Sequence, residues 1–150
     1  MKNEYRLMTN IVALSESKDW DDAKTEWRFT NAFQREGSEC LCGKINITNV
    51  CVIVNKKNDN RTEVGNCCVK KFMNISNGDT FFSSINKLKK NIKSNITNNF
   101  LHHLIDTEFI TSDEYRLLSK FQDQNEKKTS GDWNSKIEIN QRILDEYCKC

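Results

Sequence analysis

The sequence predicts an α+β chain, mostly helical, built around a small treble-clef or ribbon-type zinc module with one β-hairpin. Three observations predict it. Five of the seven cysteines fall within Cys40–Cys68, as Cys40-x-Cys42-Gly43, then Cys51, then Gly65-Asn66-Cys67-Cys68. The stretch between the outer cysteine sets is rich in Ile and Val around a polar turn, the composition of two short strands. On both sides of it, apolar residues recur at helical spacing. The expected layout is N-terminal helices over 1–36, a zinc-binding hairpin module over 37–76 and a C-terminal helical bundle over 77–150, forming one compact unit.

Each element has its own local reason. Tyr5, Met8, Ile11 and Val12 predict a short helix over residues 3–14. Asp19 is placed to cap a second helix running to about Arg35, with Trp20, Ala23 and Trp27 on one face and Asp21 and Asp22 in its first turn. Its tryptophans read as core packing. Gly37-Ser38 ends that helix. Residues 44–55, with Ile45, Ile47, Val50, Val52, Ile53 and Val54, read as a strand; the run Asn55–Asn60 reads as a turn. Thr62-Glu63-Val64 returns as a second strand, and Cys68–Phe72 begins a short helix. A helix from about Thr80 to Asn95 carries the stripe Phe81, Ile85, Leu88, Ile92 and Ile96, broken at Asn98 or Asn99. Phe100, Leu101, Leu104, Ile105 and Phe109 suggest another. Thr111-Ser112-Asp113-Glu114 is a capping box for a helix through Tyr115, Leu118 and Phe121. Residues 127–132 read as a loop. Ser135-Lys136-Ile137-Glu138 reads as a second capping box, opening a last helix with Ile139, Ile143, Leu144 and Tyr147.

Composition narrows the class. An apolar fraction of 37% and a mean hydropathy of −0.73 over 150 residues imply a lean core. A structural zinc, with an apparent binding energy of about 10–16 kcal/mol in small peptides, would supply what burial does not. No secretory leader and no run of about 20 apolar residues is visible, so a soluble intracellular protein with reduced thiols is expected. Seven cysteines, an odd number, argue against a closed disulfide framework. The absence of proline beside 19 Asn, 17 Lys and 13 Ile points to an AT-rich genome. Charge is uneven. Residues 44–99 carry 10 basic and 3 acidic side chains, whereas the segments on either side are net acidic. A basic middle is the footprint expected for an anionic partner.

The cysteines carry the one constellation with defined chemistry. A tetrahedral ion needs four donors from two chain segments, and a hairpin would bring these segments together. Cys40, Cys42 and Cys68 are the firmest ligands. Cys67 is taken as the fourth, with Cys51 and the tail pair Cys148 and Cys150 as alternatives. His102 and His103 are consecutive in a helix and cannot share a face. No Gly-rich phosphate loop, H-E-x-x-H or G-x-S-x-G occurs, so a non-enzymatic protein with a structural metal is expected. Lys70, Lys71, Lys87, Lys89, Lys90 and Lys93 are the candidate phosphate contacts. The expected function is nucleic-acid binding, DNA or RNA, through this basic middle. The alternative is a protein–protein interaction module. Neither a membrane nor a small-molecule substrate is expected.

Ala23-x-x-Glu26-Trp27, Cys40-Leu41-Cys42-Gly43, Ile53-Val54-Asn55 and Val64-Gly65-Asn66-Cys67-Cys68, followed by Lys71-Phe72, together resemble a zinc-ribbon-like module. It is found in small, mostly uncharacterised proteins of giant DNA viruses, mimivirus-like, and of phages. The resemblance covers residues 20–75, roughly one-third of the chain. It implies zinc binding by Cys40, Cys42 and Cys68 and a viral setting: host cytoplasm, viral factory or virion. Related sequences often place His after the Cys-Gly pair, where this chain has Lys44.

Overall fold

The computed structural model describes residues 3–149. Among them the chain forms two compact units, one of residues 3–79 with Lys149, the other of Thr80–Cys148. The described residues hold seven α-helices and a three-stranded antiparallel sheet. No helix among them is long and apolar enough to cross a membrane.

The first unit opens with α1 (Asn3–Leu14), which buries Leu7 and Ile11. A single-turn helix α2 (Trp20–Ala23) follows, its Asp19 side chain accepting from the Asp22 N–H, and a 3-10 turn Lys24–Glu26 continues it. Here the structure corrects the expected helix to Arg35. The chain turns at Trp27 into a 12-residue strand, β1 (Trp27–Ser38). The Ala23–Trp27 spacing imitates a helix face, yet Trp27, Phe29 and Phe33 are aromatic residues suited to a pleated surface. Pairing with a neighbouring strand outweighs the local preference. A bulge between Phe29 and Asn31 interrupts the alternation, and Ala32, Phe33 and Gln34 are buried in succession. This hid the period of two.

β2 (Ile47–Asn55) and β3 (Arg61–Gly65) form the expected hairpin. The sheet order is β1-β2-β3, so the module has three strands, with β2 central. Cys51 lies opposite Ala32 on one side and Val64 on the other. Val50, Cys51, Val52 and Ile53 are all buried, as a central strand covered on both faces requires. The β2–β3 turn is tied by the Asn55 side chain, whose Oδ1 accepts from the N–H groups of Lys57 and Asn58. Asn58 and Asn60 both donate to the Leu14 carbonyl, docking the turn against the end of α1. The short helix expected near Cys68 is α3 (Asn66–Met73). At the far end, the Lys149 N–H donates to the Gln34 carbonyl at 2.7 Å.

The second unit is helical. α4 (Asn77–Lys90) begins within the first unit and ends five residues before the expected Asn95. Thr97 caps α5 (Asn98–Asp106), so the asparagines expected to break a helix instead start one. α6 (Ser112–Lys120) has the expected Thr111/Glu114 capping box. The box of α7 (Ser130–Tyr147), however, is Thr129 with Asp132. Ser135 lies inside that helix, and the loop expected over 127–132 contains its start. The core gathers Phe81, Ile85, Leu88, Phe100, Leu101, Leu104, Ile139 and Ile143. Tyr147 meets Phe100 edge-on, with ring centroids 5.1 Å apart.

Candidate metal centre

The β1–β2 connection is the knuckle. Cys40 N–H bonds to the Lys44 carbonyl at 2.9 Å, and Gly43 N–H to the Cys40 carbonyl at 2.8 Å. Gly43 has φ +95°, a left-handed backbone that glycine adopts without steric cost. A side chain there would also run into the Arg6 guanidinium. The knuckle is held from two sides. Asn10 on α1 donates to the Leu41 carbonyl at 2.8 Å, and the Leu41 N–H donates to the Glu63 carbonyl on β3 at 3.2 Å. The end of β3 then delivers α3, placing Cys68 in its first turn.

Cys40, Cys42 and Cys68 present their sulfurs within 4.8 Å of one another. Cys40 and Cys42 are 3% and 2% exposed; Cys68 is half-buried. Two backbone amides aim at the Cys40 sulfur, that of Gly65 at 3.0 Å and that of Cys42 at 3.5 Å. Amides pointed at a sulfur favour its thiolate form. The Cys40 thiol accordingly lies well below its ordinary pKa. The Cys68 thiol's hydrogen bond is the main cause, burial works against it, and the amides of Cys42 and Gly65 assist. Cys68 is pushed the opposite way by the same bond and by burial. A tetrahedral ion with metal–sulfur bonds of about 2.3 Å spaces its sulfurs about 3.8 Å apart. The three thiols therefore fit a soft or borderline divalent ion after small side-chain adjustments.

The other cysteines stand differently. Cys67 is exposed and outside the three-sulfur group. Cys51 is buried on β2, with its sulfur 3.7 Å from Asn66 Oδ1. Burial and the nearby Asp79 charge push its thiol up to about 12, the behaviour of an inert core thiol. Cys148 is half-buried in the second unit, and Cys150 lies outside the described residues. The histidines are ring partners rather than members of the cluster. His102 meets Tyr115 at 5.9 Å and His103 meets Phe81 at 4.7 Å; burial lowers the pKa of His103.

The six lysines divide between the units. Lys70 and Lys71 are on α3. Lys70 pairs with Asp79 at 2.8 Å, which raises the lysine pKa and lowers that of the aspartate. Its charge is thus compensated nearby. Lys71 is exposed. Lys87, Lys89 and Lys90 occupy the last turn of α4, and Lys93 follows it; all four are exposed. Sequence reading missed Asn10 and Arg6, which contact the knuckle, and it named Gly65 without its amide contact to the Cys40 sulfur. Their contacts link segments distant in the chain and leave no local spacing signal. No family model, curated protein or solved structure matches the chain.

Proposed function

We propose that this chain is a non-enzymatic, zinc-stabilised nucleic-acid-binding protein. The observation that carries the metal reading is the meeting of Cys40, Cys42 and Cys68 from two chain segments. Thiolate donors favour zinc among the common divalent ions. In this reading the ion joins the knuckle to the start of α3, a structural task. The resemblance to zinc-ribbon-like proteins of giant DNA viruses and phages agrees with it, and makes the protein a viral accessory factor.

The nucleic-acid reading rests on charge. From Thr80 through Ile105 the chain has no Asp or Glu, while Lys87, Lys89, Lys90 and Lys93 cluster in seven consecutive positions. One or two lysines would suffice to offset the dipole at the end of α4. Four exposed ones also suit a phosphate backbone. Lys71 adds a charge on the first unit, and Lys70 does so only by leaving Asp79. For the alternative of a protein-interaction module, the large apolar side chains exposed among the described residues are Tyr5, Ile45 and Trp133.

Two measurements test the reading. Elemental analysis of the purified protein should give one zinc per chain; a metal-free, fully folded protein would defeat it. Binding to single-stranded nucleic acid should weaken with salt with a log–log slope of about −2.8 for four phosphate contacts. Replacing Lys87 and Lys90 by Gln should halve that slope. Salt-independent binding, or a slope indifferent to those lysines, would remove the nucleic-acid role.

A further inference from the structure

Three thiolates supply three corners of a tetrahedron, and a zinc-like ion takes a fourth donor. Cys40, Cys42 and Cys68 line one cleft of about 290 Å³ on the first unit, and among the described residues no histidine or carboxylate lines it. Asn66 is already engaged: its Nδ2 donates to Asp79 at 2.7 Å and its Oδ1 faces the Cys51 sulfur. Lys44 offers only N–H donors. Cys67 also lines the cleft, but it is adjacent to Cys68 on α3, so its side chain leaves the helix about 100° away from that of the ligand, and the residue is exposed and outside the three-sulfur group.

The cleft has the electrostatics of an anion site. Lys44 is exposed on its wall. α3 begins there with Gly65 at its cap position and no side-chain cap, so its first amides and positive dipole end are available to an anionic donor. These features surround the open side of a three-sulfur cluster rather than standing alone.

We propose that the metal centre has three protein ligands, Cys40, Cys42 and Cys68, and an exchangeable fourth position that opens into this cleft and takes a small anionic donor. The inference rests on the metal reading above and deepens it: the site is a binding site as well as a staple. Loading the ion displaces the thiol protons. With an ion held by Cys40, Cys42 and Cys68, a solvent water would fill the fourth position, and an incoming anion would replace it by donating an electron pair as the water leaves. No protein bond breaks and no electron is transferred.

Cobalt(II) replaces zinc in such sites and reports its donors by its visible bands and by the intensity of its sulfur-to-metal charge transfer. The full chain loaded with cobalt should show the intensity of three thiolates. Azide, used as the probe, should shift the visible bands saturably while leaving that intensity unchanged. Cys67→Ser should leave the unliganded spectrum as it is, and Cys68→Ser should remove one thiolate contribution. A four-thiolate spectrum that loses one contribution in Cys67→Ser would overturn the proposal. So would a spectrum that azide does not move, since another protein group would then close the site. If cobalt binds nowhere in the chain, the metal reading itself falls; the absence of any cobalt–thiolate bands before azide is added distinguishes that from a closed site, which shows the bands but does not respond to azide. Because azide is tested on the unsubstituted protein, a variant that fails to fold leaves the result readable.

Discussion

Glu26 and Lys136 are buried charges, and they have opposite effects on stability. The Glu26 carboxylate is 3% exposed. It accepts from Asn55 Nδ2 at 3.0 Å and from the N–H groups of Glu16 and Ser17 at 2.8 and 2.9 Å. Those bonds, with the Asn55 side chain the largest cause, hold its pKa below the ordinary value against burial. A depressed carboxylate stabilises the fold fully above the unfolded-chain pKa of about 4.3, and that contribution is lost as pH falls through the folded pKa. Glu26→Gln should therefore melt at a lower temperature than the wild type at pH 7, with the gap closing toward acid pH in a thermal-melt series. Lys136 is 2% exposed in the second unit. Its ammonium bonds Asn95 Oδ1 and lies 4.3 Å from the Phe121 ring centroid. Burial pulls its pKa down to about 8. Between about 8 and the unfolded value of about 10.4, the unfolded chain binds more protons, so this residue makes stability rise with pH across that window. Lys136→Met should flatten the rise in denaturant titrations while keeping the helical circular-dichroism signal. Neither role was visible in the sequence. Glu26 belonged to a recognised local pattern, but its partners are 9 to 29 positions away, and Lys136 looked like one member of a capping box.

Elements were legible where a local interaction creates them. α1, the β2–β3 hairpin and α6 follow from helical spacing, branched residues around an Asn-rich turn, and a reciprocal cap. β1 was not legible, because Trp27–Ser38 owes its conformation to pairing with β2. The start of α7 shows how two local signals compete. Thr129-x-x-Asp132 and Ser135-x-x-Glu138 both have capping-box form, and polar residues with Gly131 made the first resemble a loop. Asp132 settles it: its Oδ2 accepts from the Thr129 N–H at 3.0 Å and from Lys120 Nζ at 2.9 Å. Thr129→Ala should accordingly cost about 1 kcal/mol in denaturant unfolding, whereas Ser135→Ala, in the helix interior, should stay within about 0.5 kcal/mol. Equal effects of the two substitutions would place the helix start wrongly. In the knuckle, Gly43→Ala should cost about 1–2 kcal/mol, read from the same unfolding curves, because its backbone is left-handed.

At the scale of the whole molecule, the two units draw on different sources of stability. The first has a three-stranded sheet with the thiol cluster at one end of its hairpin; the second has an aromatic and aliphatic core of its own. If the first unit holds the proposed ion, removing it with a chelator should speed amide hydrogen exchange in β2, β3 and α3, and leave α5 and α7 protected. Uniform protection before and after chelation would mean that the ion does not hold the first unit together. The sequence by itself determined the cysteine clustering, the hairpin between the two cysteine segments, the basic middle and most helices, since each is written in composition, spacing or a reciprocal cap over a few residues. Only the tertiary structure decided that a third strand flanks the hairpin, that Cys67, taken as the fourth ligand, stays outside the group of Cys40, Cys42 and Cys68, and that Cys51 is a core thiol. Those outcomes depend on strand register, on the rotation of one residue along α3 and on which face β2 buries. Each is a relation between distant segments that no local pattern encodes.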